Sequence, residues 1–382
     1  MPLRVGLVAG ESSGDLLGAG LIRAVRERHP DAVFEGVAGP EMVAAGCEQW
    51  TDAEVLSVMG FVEPLKHLPE LLRLRRSLIT RWRTNPPDVF VGIDSPDFNL
   101  GLETALKASG IKTMHYVSPS IWAWRAGRLW KILRAADCVL CLLPFEPALY
   151  EQHDTNAVFV GHPKAGILSP DIDVAGVRSS LNLSGEGKVV AVLPGSRGTE
   201  VSRLAPIFAA AAARIAANDD GIRFITPVAR PKLRAVISEH LEQHGVAERF
   251  TLVDGKSIEA MSAADVVLLA SGTAALESAL LGKPTVAAYR VAAVTYWVLY
   301  CFKLIKLQYF TLPNLLTEKP QVPEFIQYDA KPDAIANEVT SMLNDPERRA
   351  GIRRRFAKLR GELALDADER AADALIRLAA QD

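Results

Sequence analysis

A chain of 382 residues, 49% of them hydrophobic, exceeds the usual single-domain size and predicts two packed cores. With Lys+Arg 43 against Asp+Glu 45 the formal net charge is -2, which excludes a global attraction to nucleic acid and leaves any pull toward an anionic membrane to local patches. The four cysteines are scattered, and Cys138 and Cys141 fall on opposite phases of a strand-like run, so buried free thiols and a reducing cytoplasm are expected rather than disulfides or a zinc site.

The amino terminus, MPLRVGLVAGESSGD, enters a strand without the features of an export signal. From there short apolar runs alternate with longer amphipathic segments. The runs near Val5–Ala9, Val33–Ala38, Val89–Ile93, Thr113–Val117 and Val139–Leu143 predict one sheet. Those near Val189–Leu193, Phe224–Val228, Phe250–Val253, Val266–Ala270 and Thr285–Tyr289 predict another. The alternation implies an α/β fold of two doubly wound, parallel-sheet, Rossmann-like domains, with ligands at the carboxyl ends of strands facing an interdomain cleft. Residues 160–185 lose periodicity and gain Pro, Gly and Ser, which suggests boundaries of 1–163, 164–344 and a helical 345–382 that packs back on the first domain or exchanges with a partner protomer.

In the first loop, AGESSGDLLG, Gly10 and Gly14 permit a tight turn while Glu11 and Asp15 place carboxylates at its mouth. Acidic groups repel phosphate, so the loop suits a rim for a hydroxyl-bearing substrate; helix capping by Ser12 or Ser13 is the alternative. Next, Leu71, Leu74, Leu78 and Trp82 share one helical face with Arg75 inside it and Arg73 and Arg76 beside it. That pattern suits a membrane surface with snorkelling arginines, or equally a helix packed on its own domain with a solvated basic face.

The segment VFVGIDSPDFN carries the main catalytic candidate. Ser95 as N-cap and Pro96 as first helical residue account for the helix start without Asp94, leaving its carboxylate at a strand end for general-base work. Then HYVSPSIWAWRAGRLWK gathers His115, Trp122, Trp124, Arg125, Arg128, Trp130 and Lys131, a mixture suited to a sugar face, an acyl chain or a head-group phosphate; His115 alone also reads as an interior histidine. In the second half, LPGSRGTEV puts Ser196 and Arg197 at a strand end, where a guanidinium fork grips a diphosphate or the glycines merely make a turn.

In LLASGTAALESALLGKP a strand breaks at Ser271, Gly272 and Thr273 into a helix whose first amides, with about half a positive charge from the dipole, suit a phosphate. Glu277, one turn deeper on the same face, is placed for ribose hydroxyls, and the competing reading is an ordinary turn with a solvated Glu. The aromatic stretch through residues 287–316 suits shallow insertion at a membrane or a core. Its longest nearly uncharged run is far short of the ~20 apolar residues of a membrane span.

Taken together, VAGESSGD, GVAGPEM, VFVGIDSPDFN, HYVSPSIWAWR, LPFE, GHP, LPGSRGTEV, LLASGTAALE, LPNLL and DADERAADA resemble the lipid-A-disaccharide synthases, glycosyltransferases of GT-B architecture, nearly end to end. The resemblance implies transfer of 2,3-diacylglucosamine from UDP-2,3-diacylglucosamine to the 6-hydroxyl of 2,3-diacylglucosamine 1-phosphate. Inversion would give UDP and a β-1,6-linked disaccharide, in lipid A biosynthesis at the inner face of the cytoplasmic membrane of Gram-negative bacteria. It implies no metal, no cofactor and no nucleic acid, and it is compatible with a homodimer. Carried onto matching motifs, it makes Asp94 the base, Arg197 the diphosphate ligand, Gly272, Thr273 and Glu277 UDP contacts, and Glu11 and Asn314 cleft residues. Another two-domain UDP-sugar enzyme, a 2-epimerase or a peptidoglycan transferase, and a non-catalytic nucleotide-sugar sensor are the competing readings. Neither enzyme explains the arginine-edged apolar helix.

Overall fold

In the computed structural model, which describes residues 2–56, 64–122, 126–153, 155–183, 187–292 and 308–381, the apolar runs form the centres of two all-parallel sheets. One compact unit comprises Met1–Gly166 with Leu363–Asp382, the other Ile167–Glu362.

The first unit holds a seven-stranded sheet in the order β3-β2-β1-β4-β5-β6-β7. Its strands are β1 (Arg4–Ala9), β2 (Val33–Ala38), β3 (Cys47–Asp52), β4 (Val89–Ile93), β5 (Lys112–Tyr116), β6 (Cys138–Cys141) and β7 (Asn156–Phe159). The second holds a six-stranded sheet, β10-β9-β8-β11-β12-β13. Its strands are β8 (Val189–Leu193), β9 (Arg223–Val228), β10 (Phe250–Asp254), β11 (Val266–Ala270), β12 (Thr285–Tyr289) and β13 (Glu324–Ile326). Every residue of β4, β8 and β11 is buried. Helices cover both faces of a parallel sheet, so its central strands read as continuous apolar runs.

Three strands escape that signal. β3, β7 and β13 lie at sheet edges and include exposed or half-buried residues, so nothing in CEQWTD, NAVF or EFI stands out as an apolar run.

On one face of the first sheet the helix Ser12–Arg28 packs beside the carboxyl-terminal helix Ala367–Ala379, whose Ala371, Ala372, Leu375 and Leu378 enter the same core as Val5, Leu7 and Val91. A Cβ on Gly20 would lie 2.2 Å from Asp368 Oδ1, so this glycine makes room for the docked helix. Arg28 pairs with both Glu369 and Asp373. Cys138 joins this core and Cys141 the core on the opposite side; both are free thiols, and burial pushes the Cys138 thiol up to about 12.

The helix Pro64–Thr84 corrects the membrane expectation at two of its residues. Leu78 and Trp82 are buried in the core on the other sheet face, with Leu71 and Leu74 packed partly against it. The Trp82 ring lies where a Cβ on Gly6 of β1 would come within 2.9 Å of it, and its centroid is 4.9 Å from that of Phe90 and 5.1 Å from that of Trp50. A helical face that fills its own domain core has no apolar area left for lipid at those positions. Arg73 and Arg76 remain exposed, as does Leu68 nearer the start of the helix.

Candidate active site

In each sheet the strand order reverses direction once, between β1 and β4 and between β8 and β11, and a crevice opens beyond the carboxyl ends of such a pair. The loops after these four strands carry Glu11, Asp94, Arg197 and Ser271–Thr273 respectively.

In the first unit Ala9 and Ile93 are in register at the ends of β1 and β4. Immediately beyond, Asp94 (φ 51) and Ser95 (φ 43) are both left-handed, and so is Val117 (φ 81) just after β5. Side chains carrying a Cβ cost about 1–3 kcal/mol each in such conformations, and a β-branched valine is the most strained of them.

The surrounding bonds hold the strained turn. Asp94 N donates to Tyr116 O at 2.8 Å, and the fully buried Asn99 donates from Nδ2 to Asp94 O at 2.8 Å. Ser95 stands at the N-cap position, but its hydroxyl makes no capping bond. The Asp94 carboxylate has no hydrogen-bond or ion-pair partner among the described residues. It lines a cleft of about 320 Å³ with Val117, Ser118, Pro119, Ser120 and Arg128. Asp97, in the first helical turn, is instead paired with Arg128.

Glu11 is exposed at the head of the helix Ser12–Arg28, beside this turn. Asp15 does not join it. Its buried carboxylate accepts from Gly39 N at 2.9 Å, Glu41 N at 2.9 Å and Met42 N at 3.0 Å, and so caps the next helix, Pro40–Ala44.

His115 is not a substrate contact in this structure. It is fully buried, with Nδ1 2.7 Å from Glu103 Oε1, and burial holds the Glu103 carboxyl above its usual range. A Cβ on Gly92 would lie 2.1 Å from Glu103 Oε1, so this interior pair packs against β4, the strand that leads into Asp94, and the sequence does not reveal it. Trp124 and Arg125 lie outside the described residues. Trp122 is tied inward, its Nε1 donating to Glu146 Oε1 at 3.3 Å and its ring meeting Phe145 edge-on at 5.3 Å.

In the second unit Leu193 and Leu269 are in register at the ends of β8 and β11. The turn after β8 passes through Gly195 (φ 122), a left-handed position, and starts the helix Gly198–Asn218. Glu200 closes a capping box: its Oε2 accepts from Ser196 N at 3.3 Å and Arg197 N at 3.4 Å. Those two amides are thus occupied by the protein's own carboxylate. The Arg197 side chain stays 69% exposed, its Nη1 only 3.4 Å from Glu200 Oε1, so the guanidinium remains accessible to a ligand. Glu200, three residues after Arg197, is a capping signal legible in RGTE yet absent from the sequence reading above.

Across the switch point the helix Thr273–Leu280 begins with no side-chain cap, and Gly272 and Thr273 are exposed. Its first amides are open to an anion, and the dipole favours one. Ser271 Oγ donates to Phe310 O at 3.1 Å, so its hydroxyl holds the neighbouring segment in place. Glu277 is half-buried one turn further on.

Asn314 does not line this crevice. It is 2% exposed and fully engaged: Nδ2 donates to Val322 O at 2.7 Å and Glu324 Oε1 at 2.8 Å, while Oδ1 accepts from Gln321 N at 2.7 Å and Val322 N at 2.8 Å. Glu324 is the centre of that network, accepting also from Phe310 N and Thr311 N. Lys283, after the helix, is a second interior tether: Nζ donates to Ser262 O and Ala264 O, and burial lowers it to about 8.

Against known proteins, residues 5–377 match the model of a family described as lipid-A-disaccharide synthetase. A lipid-A-disaccharide synthase of Alkalilimnicola ehrlichii is 50% identical over 379 residues, covering 99% of each chain. Among solved structures, UDP-GlcNAc 2-epimerase of Neisseria meningitidis superposes with a TM-score of 0.61 at 14% identity, over 98% of this chain and 99% of that one. A calicheamicin glycosyltransferase superposes with a TM-score of 0.59 at 15% identity, over 99% and 98%. The two structures share the two-domain fold with this chain.

Proposed function

The chain belongs to the lipid-A-disaccharide synthase family, a family of glycosyltransferases, and from that premise we propose the reaction its two switch points perform. The donor is UDP-2,3-diacylglucosamine and the acceptor 2,3-diacylglucosamine 1-phosphate. Asp94 takes the proton of the acceptor 6-hydroxyl as that oxygen forms its bond to the anomeric carbon of the donor. The bond from that carbon to the diphosphate oxygen breaks on the opposite side, so the configuration inverts and UDP departs. Negative charge grows on the departing diphosphate; the exposed Arg197 guanidinium and the uncapped amides of the helix Thr273–Leu280 are donors suited to it. Glu277 meets the ribose and Glu11 the sugar hydroxyls.

The observation that carries this reading is the Asp94 carboxylate: held on a strained turn at a strand end, yet unpartnered among the described residues, while neighbouring Asp97 is neutralised. General-base catalysis contributes about 10²–10⁴-fold, so Asp94→Asn is expected to lower kcat by that order with substrate binding largely kept. Retained turnover removes Asp94 from the role. Supplying detergent-solubilised acylated donor and acceptor alongside UDP-N-acetylglucosamine separates this assignment from a soluble UDP-sugar epimerase. Turnover of the soluble sugar nucleotide with no disaccharide from the acylated pair would sink it.

We further propose a peripheral seat at the inner face of the cytoplasmic membrane. Among the described residues no helix is long and apolar enough to cross a membrane, and diacylated substrates reside in lipid. The surface we assign begins at exposed Leu68, Arg73 and Arg76 rather than at the buried Leu78 and Trp82.

A further inference from the structure

The helices Pro64–Thr84, Pro96–Lys107 and Leu129–Ala135 of the first unit border a second cleft, of about 410 Å³. It adjoins the Asp94 cleft, because Pro96 and Arg128 line both. Its wall carries Arg75, Arg128, Lys131 and Arg134 against a single carboxylate, Asp97.

Asp97 is already paired with Arg128. Among the described residues Arg75, Lys131 and Arg134 have no hydrogen-bonded or ion-paired side-chain partner. Like charges held together repel one another until an anion joins them, and a concave wall strengthens the field they share. The chain as a whole is slightly acidic, so composition does not account for this concentration.

Gly101 aims one of these cations. A Cβ there would lie 2.5 Å from Arg75 Nη1 and 3.1 Å from its Cζ. The missing side chain lets the guanidinium lie against the helix Pro96–Lys107, inside the cleft.

We propose that this basic cleft binds the phosphate monoester of the acceptor sugar, while the hydroxyl of the same sugar reaches Asp94 next door. The inference rests on the acceptor assigned above and names the part of the first unit that selects it. A phosphate monoester is a near-dianion with several acceptor oxygens, matched by guanidinium forks and an ammonium group. An anomeric phosphate and a 6-hydroxyl flank one ring oxygen, so anchoring the first in a cleft that shares a wall with Asp94 orients the second toward the base.

The test compares kcat/KM for the acceptor with and without its 1-phosphate, in neutral detergent micelles, for the wild type, for Lys131→Ala with Arg134→Ala, and for Gly101→Ala. Both replaced cations lie on the surface, so the double variant is expected to keep the wild-type Tm. The preference for the phosphorylated acceptor should fall about tenfold or more in the double variant and by less in Gly101→Ala, with the donor KM unchanged. An undiminished preference overturns the proposal, and so does an equal loss on both acceptors, which would mark a structural role. Sedimentation with anionic and neutral vesicles separates the membrane source of phosphate: lost vesicle binding with an intact preference in micelles assigns the cleft to lipid head groups and refutes the proposal. Failure of the wild type to turn over either acceptor would overturn the acceptor assignment and this inference with it, whereas wild-type turnover without the shift in preference strikes the cleft alone.

Discussion

A Cβ built on Gly10 would lie 2.0 Å from Ser95 Oγ and 2.8 Å from Ser95 Cβ, so the turn after β1 is pressed directly against the strained turn after β4. Only hydrogen fits at this point of contact. Gly10→Ala must push Ser95, and the adjoining Asp94 with it, away from the present geometry. Displacement of a catalytic group by about 1 Å costs on the order of 100-fold. The expected outcome is a kcat lower by about that factor with a Tm shifted by only a few degrees. A normal kcat in a folded Gly10→Ala protein would show that the two turns are not coupled.

Arg197 offers a cleaner separation, because its side chain is exposed and its loss leaves no cavity. Arg197→Ala is expected to lower kcat/KM by about 100-fold or more, the scale for removing a donor to developing negative charge. The backbone turn should survive, since Glu200 holds the amides of Ser196 and Arg197 independently of the guanidinium. Conversely, Glu200→Ala loosens the turn while leaving Arg197 in place, and a loss there without a loss in Arg197→Ala would move the role from the side chain to the backbone.

How far these sites were legible depended on whether a signal was local. The sequence TAALESAL after a buried strand announces an uncapped helix start, and IDSPDFN announces a spare carboxylate at a strand end; both follow from nearest neighbours along the chain. Asn314 was different. Its four bonds run to Gln321, Val322 and Glu324, seven to ten residues away, so only the folded loop reveals that it supports the Ser271 strand end instead of lining the crevice. Trp82 is ambiguous in sequence for the same reason: an apolar helical face looks identical whether its partner is lipid or a sheet, and the glycine that admits the indole, Gly6, lies on β1, remote from the helix in sequence. His115 needed its partner Glu103 on another element to declare itself interior.

Glu146 gives a pH signature. The residue is 3% exposed, and burial raises its carboxyl from an ordinary 4.5 to about 7 despite hydrogen bonds donated by Leu143 N and Trp122 Nε1. The folded protein therefore retains a proton that the unfolded chain has released between those two values. Its contribution to stability is fully present below pH 4.5 and is lost as pH rises through about 7, where the buried group must ionise. Glu146→Gln removes the titration. The wild type is expected to lose on the order of a few kcal/mol between pH 4.5 and 7 relative to the variant, measured by denaturant unfolding at each pH. Parallel pH profiles for the two proteins would contradict the assignment.

The membrane seat makes the last prediction. Arg73 and Arg76 are exposed on the helix whose inner face is sealed by Leu78 and Trp82, so charge reversal there changes the surface without touching the core. Each basic residue near an anionic bilayer is worth about 1 kcal/mol. Arg73→Glu with Arg76→Glu should therefore weaken binding to anionic vesicles by at least tenfold at low salt, and the difference should shrink as salt screens it. Turnover of micellar substrates, which needs no bilayer contact, should change far less than vesicle binding. Equal sedimentation of wild type and variant would place the lipid contact elsewhere on the first unit, and an equal loss in micelles would mean that these arginines serve the substrates themselves.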